Sequence, residues 1–67
     1  MVYERIKELR VDKDLSQKEL ADILNVTRSA YSNYENGIRD VPVDVLARLA
    51  DFYKTSVDYI IGRTDKI

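Results

Sequence analysis

Between Thr27 and Asn36 the chain reads TRSAYSNYEN, and five of these side chains can do recognition chemistry together. Placed on a helix at about 100° per residue, Arg28, Ser29, Ser32, Asn33 and Asn36 share one arc. The arc carries one guanidinium, two hydroxyls and two amides. Asparagine offers a paired donor and acceptor that match adenine N6 and N7. Arginine reaches guanine O6 and N7, and serine is compatible with several bases. All but Arg28 are short, so a helix bearing them can lie deep in a groove. Ser, Asn and Thr each cost a few tenths of a kcal/mol in a helix interior relative to Ala, so helix stability did not choose them. The competing reading is an ordinary solvated helix face.

Other chemistry is excluded by composition. The 67 residues contain no cysteine and no histidine. The usual structural zinc ligands are therefore missing, as are Cys–His and Ser–His–Asp nucleophilic sites. Asp12-x-Asp14 is the one tempting carboxylate pair, and it lacks the further oxygen ligands of a calcium loop. It reads as a solvated turn. No metal, cofactor or small-molecule ligand is expected, and no enzymatic activity.

The elements that must position the polar arc are helical almost throughout. Ile6 and Leu9, with Val2 or Tyr3 a turn earlier, form a first stripe that Asp12-Lys13-Asp14 interrupts. Ser16-Gln17-Lys18-Glu19 is a capping box opening a second helix, with Leu20, Ala21 and Leu24 inward and Ile23 at the edge. Asn25 tolerates the left-handed conformation that ends a helix abruptly. Thr27 caps the third helix, whose inner arc is Ala30, Tyr31 and Tyr34 and which Gly37 terminates. Pro42 suits the first turn of a fourth helix, where Val43, Leu46, Leu49, Ala50 and Tyr53 share a face. Ser56 caps a short fifth helix through Val57, Ile60 and Ile61, stopped by Gly62. No strand pattern, repeat or linker is present. The expectation is an all-α, compact five-helix domain over 1–67, with a tight helix-turn-helix at about 16–36. Only Asn25 and Val26 separate Leu24 from Thr27, which forces a steep crossing with Val26 plugging the corner.

Eleven basic and twelve acidic residues give a net charge of −1 and a pI near 5.3. That argues against a surface attracted as a whole to nucleic acid, for which a pI above about 9 is typical. No apolar run is long enough to span a bilayer, and MVYERIKELR is charged where a signal peptide is apolar. A cytoplasmic protein with no membrane partner is expected.

The run LSQKELADILNVTRSAYSNYENGIRDVP resembles the DNA-binding domain of the Cro and phage-repressor family, also called the xenobiotic-response-element family. The likeness extends from RIKELR at the start to SVDYIIG near the end. It implies a lambda-repressor-like fold whose third helix enters the major groove of double-stranded DNA. Position by position, it implies base contacts for Arg28, Ser29, Ser32 and Asn33. It implies phosphate contacts for Gln17 and Thr27, both at helix N-termini where free N–H groups favour an anion. Asn36, Arg39 and Lys13 join that phosphate set, which lets an acidic domain hold DNA. Arg10 is expected to pair with Glu35 of the Y-E-N-G segment. The loop Ile38-Arg39-Asp40-Val41 is less basic than in several family members, and Asn25 stands where glycine is usual.

Val41, Val43, Val57, Tyr59 and Ile67 are apolar residues that the helical pattern does not all need for a core. In similar repressors the surface around the fourth and fifth helices makes a two-fold contact. A homodimer would set two recognition helices about 34 Å apart on a near-palindromic operator. The function implied is a transcriptional repressor. The alternative is a protein-interaction module, an antitoxin or adaptor retaining the fold, which neutral charge and apolar fourth and fifth helices would also suit.

Overall fold

A computed structural model describes residues 3–66. Val2 and Ile67, which the sequence pattern assigns to the first stripe and the candidate interface, lie outside the described residues. Five helices follow in order: α1 (Glu4–Asp12), α2 (Gln17–Leu24), α3 (Arg28–Glu35), α4 (Val43–Tyr53) and α5 (Val57–Ile60). No strand occurs among the described residues, and no helix there is long and apolar enough to cross a membrane.

Local chemistry explains where the helices begin. The Ser16 hydroxyl accepts from the Glu19 N–H while the Glu19 carboxylate accepts from the Ser16 N–H, both at 3.0 Å. Those bonds also hold the Glu19 carboxyl below its ordinary range. Thr27 Oγ1 accepts from the Ala30 N–H at 3.1 Å and Ser56 Oγ from the Tyr59 N–H at 3.0 Å. Each cap satisfies an N–H that has no partner within its own helix. Pro42 stands one residue earlier than its helix-start chemistry suggests. It is the N-cap itself, and Val43 is the first helical residue.

All five helices end in the same motif. The N–H groups of Leu15, Val26, Ile38, Thr55 and Arg63 donate to carbonyls five residues back, at 2.8–3.1 Å. Such a closure needs a left-handed residue just before the donor. Glycine fills that position at Gly37 (φ 74°) and Gly62 (φ 83°), but Asp14 (φ 56°), Asn25 (φ 59°) and Lys54 (φ 55°) fill the others. The tight corner between α2 and α3 is thus one case of a repeated device.

The core gathers one stripe from each helix. Ile6, Leu20, Leu24, Tyr31, Leu49 and Ile60 are almost completely enclosed. Ala21 is buried where α2 and α3 pack closely, and Val26 lies partly buried against the core at the corner. Three valines differ from the sequence pattern. Val43, expected on the inner face of α4, is 79 % exposed, and Val45 is buried in its place. Val43 is the first residue of the helix and projects off its end, whereas Val45 lies one turn before Leu49 on the inward stripe. Val41, expected at an intersubunit surface, is buried in the chain's own core.

Two arginines tie elements that are remote in sequence. Arg48 of α4 donates to the Leu24 carbonyl at 2.8 Å, placing a cation on the C-terminus of α2. Arg5 of α1 donates to the carbonyls of Tyr59 and Thr64, pairs with Asp65, and stacks 4.1 Å from the centre of the Tyr59 ring. That guanidinium ties the segment after α5 to α1.

Candidate nucleic-acid interface

α3 is amphipathic in the sense that matters for recognition. Tyr31 and Tyr34 are buried, with Ala30 partly so, and this anchors the helix against α2 and α1. Arg28 and Ser29 on the opposite side are exposed, while Ser32 and Asn33 are half-buried. These four line one open depression of about 330 Å³, and the fifth lining residue is Gln17 from the start of α2. Residues from both helices of the helix-turn-helix therefore converge, and every lining side chain can donate a hydrogen bond. Only Arg28 among them carries charge.

Gln17 also reaches a buried charge pair. Arg10 Nε donates to Glu35 Oε2 at 2.6 Å and an Arg10 terminal nitrogen donates to Oε1 at 3.2 Å. The side chains are 13 % and 3 % exposed, and the other terminal nitrogen of Arg10 donates to the Leu15 carbonyl at 2.8 Å. One guanidinium thus joins α1, the loop before α2 and the end of α3. Gln17 Nε2 adds a third donor to Glu35, reaching Oε1 at 3.2 Å. Burial opposes ionisation of Glu35, yet Arg10, with the Tyr31 hydroxyl and Gln17 adding to it, outweighs burial and holds the carboxyl below its ordinary range. The Arg10 guanidinium is held above its usual value by the same bond.

Two phenols complete this interior. The Tyr31 hydroxyl is buried and faces Glu35 without closing a hydrogen bond of normal geometry. Burial, reinforced by that carboxylate, pushes its pKa far above the usual 10. Burial likewise pushes Tyr53 up to about 12.

The residues assigned to phosphate are less tightly grouped. Thr27, Asn36, Arg39 and Lys13 are all exposed, and none lines the depression. Asn36 donates from its amide to Ser32 Oγ at 3.3 Å, so it touches the polar face of α3 from the side. The Arg39 N–H donates to the Asn33 carbonyl at 3.3 Å, which fixes the backbone of the following loop to α3. Lys13 instead sits 5.6 Å from the centre of the Phe52 ring on α4. Gln17 was assigned by likeness to phosphate alone; its bond to Glu35 had no signal in the sequence, since eighteen residues separate the two.

At the candidate subunit surface the residues separate. Val41 is buried, Val57 packs partly against the core, Tyr59 lies half-buried beneath Arg5, and Val43 is open. Ile38, at 71 % exposure, is a second open apolar side chain in the same stretch of chain. A larger hollow of about 450 Å³ runs along α1, lined by Glu4, Lys7, Glu8, Val11, Asp12 and Glu35. Four carboxylates against one lysine make it a poor seat for phosphate.

Comparison with known proteins agrees with the helix-turn-helix fold. A helix-turn-helix family model matches residues 6–60. The HTH-type transcriptional regulator AnsR of Bacillus subtilis is 40 % identical over 63 residues, covering 94 % of this chain and 54 % of AnsR. The HTH-type transcriptional regulator ImmR of the same organism is 39 % identical over 61 residues, covering 91 % of this chain and 48 % of ImmR. The chain spans about half the length of these curated relatives. Among solved structures, a transcriptional regulator from Listeria innocua superposes with a TM-score of 0.86 at 25 % identity, over 97 % of this chain and 61 % of that one.

Proposed function

The chain belongs to the helix-turn-helix family, and from that premise we propose that it is a sequence-specific DNA-binding transcriptional regulator, acting as a repressor from the cytoplasm. The observation that carries the reading is the convergence of Gln17, Arg28, Ser29, Ser32 and Asn33 on one depression spanning both helices of the motif. Arg28 and Asn33 supply the directional base contacts, to guanine and adenine edges respectively, and the serines adapt to either strand. Thr27, Asn36 and Arg39 flank this face and hold phosphates, aided by the N-terminal ends of α2 and α3. The proposed mechanism of repression is occupancy of a promoter, with no catalytic step.

Two copies acting on a near-palindromic site follow from the motif's docking geometry. The homodimer surface consists of Val43, Val57 and Tyr59, without the buried Val41. The test is selection of bound duplexes from random DNA at low salt, alongside sedimentation of the free protein. Enrichment of an inverted repeat with half-sites about one helical turn apart is expected. Recovery of unenriched sequences would leave a protein-binding role for the fold instead.

A further inference from the structure

The buried carboxylate of Glu35 lies one hydrogen bond from the recognition surface. Gln17 Nε2 donates to Glu35 Oε1 at 3.2 Å, and the same Gln17 side chain lines the depression with Arg28, Ser29, Ser32 and Asn33. We propose that Glu35 is a positioning residue for DNA binding: it fixes the Gln17 amide so that its second N–H is presented to a backbone phosphate. This role rests on the DNA-binding reading above and adds to it a residue that never touches DNA.

The chemistry is that of an amide caught between two anions. A free glutamine presents its oxygen to an approaching phosphate as readily as its nitrogen, and the oxygen is repelled. A carboxylate acceptor on the protein side selects the nitrogen, whose two N–H bonds can bridge two acceptors. The bridge also requires that the phosphate not face a bare buried charge. Arg10 meets that requirement, because its two bonds to Glu35 at 2.6 and 3.2 Å neutralise the carboxylate locally. The side chains are 13 % and 3 % exposed, so the two charges face each other rather than water. The ion pair that packs α1 against α3 therefore also orders a donor on α2, where the helix N-terminus already favours an anion.

A matched pair of backgrounds separates positioning from structural support. Arg10→Met/Glu35→Gln removes the ion pair but keeps an acceptor for Gln17; Arg10→Met/Glu35→Met removes both. Each is tested in the full chain, with and without Gln17→Ala, for binding a short random-sequence duplex at low salt, with folding followed by circular dichroism. In the unaltered chain, Gln17→Ala is expected to weaken binding roughly tenfold, the effect of one hydrogen bond to a charged group. The same loss is expected in the background that keeps the acceptor. In the methionine background the parent is already weakened about tenfold and Gln17→Ala adds less than about twofold. Equal affinity of the two folded parents, or an undiminished effect of Gln17→Ala in the methionine background, overturns the proposal.

A second measurement needs no variant at position 35. The Gln17 side-chain amide protons, assigned by their loss in Gln17→Ala, are followed by nitrogen–proton correlation spectra as duplex is added. One proton should be protected from exchange before DNA arrives, and the other should shift on binding. Two freely exchanging protons, or no shift with DNA bound, overturn it. If the unaltered chain binds no duplex, the proposed function fails, while the protected proton still reports whether Glu35 holds Gln17.

Discussion

Removing Arg10 should cost this domain more than removing its partner, and the asymmetry follows from burial. Arg10→Met leaves the Glu35 carboxylate, 3 % exposed, without its guanidinium and with only the neutral Gln17 amide and Tyr31 hydroxyl facing it. An uncompensated buried charge of that kind costs about 3–5 kcal/mol. Glu35→Gln leaves the guanidinium of Arg10, which is 13 % exposed and still bonded to the Leu15 carbonyl, so it can rehydrate. The expected loss there is roughly 1.5–3 kcal/mol, the range for hydrogen bonds to charged groups. Arg10→Met/Glu35→Met should lie within about 1 kcal/mol of the unaltered chain, because apolar packing often replaces a buried pair without loss. A chain of this length has roughly 3–10 kcal/mol in total, so Arg10→Met alone could unfold much of it.

Urea unfolding followed by circular dichroism at neutral pH measures all three losses. The pH dependence supplies an internal check. Because the Glu35 carboxyl is held below the usual 4.5, the pair's contribution is complete above that value and is lost as pH falls through the lower folded value. The gap between the unaltered chain and Glu35→Gln should therefore close in acid. Losses below about 1 kcal/mol for both single variants, the level of an exposed surface pair, would refute the reasoning. So would a gap that widens as pH falls.

Two further outcomes follow. Lys54 holds a left-handed backbone (φ 55°) at an exposed helix end. Lys54→Gly should therefore raise stability by about 0.5–1 kcal/mol, the relief of strain less the entropy that glycine loses on folding; an unchanged or lower thermal midpoint contradicts this. In alkali the phenols of Tyr31 and Tyr53 are both pushed up, Tyr53 to about 12, so their neutral forms stabilise the fold fully below the ordinary value of 10.0 and lose that contribution as pH rises through the folded values. Their phenolate absorbance, isolated with Tyr31→Phe and Tyr53→Phe, should appear together with unfolding; ionisation near pH 10 with helicity intact contradicts it.

Features written within one turn of chain were legible. The capping box of Ser16 and Glu19, the caps at Thr27 and Ser56, and the left-handed corner at Asn25 each depend on residues three or four apart, and all four form. The polar arc of α3 was legible for the same reason, since helical spacing alone brings Arg28, Ser29, Ser32 and Asn33 together. Burial at element edges was not. Val41 and Val43 lie on either side of Pro42, and only the direction of entry into α4 decides that the first is enclosed and the second open. The long-range arginines were equally hidden. Arg5 meets Asp65 across sixty residues and Arg48 meets Leu24 across twenty-four, contacts that no local pattern encodes. The approach of the Lys13 ammonium to the Phe52 ring on α4 was hidden in the same way.

The thin charge around the reading face also gains a physical context. On the proposed reading, phosphate would be held by amides, hydroxyls and helix ends more than by lysine and arginine, so binding should be modest for one copy and gain strongly from two.

The central claim is that the outward face of α3 reads bases. Its most direct test compares Asn33→Ala with the unaltered chain on a selected duplex and on random-sequence duplexes at fixed salt. A loss of about 1–3 kcal/mol on the selected site, with random-sequence binding nearly unchanged, is the expected result. Equal losses on every sequence, or no loss on any, would contradict it.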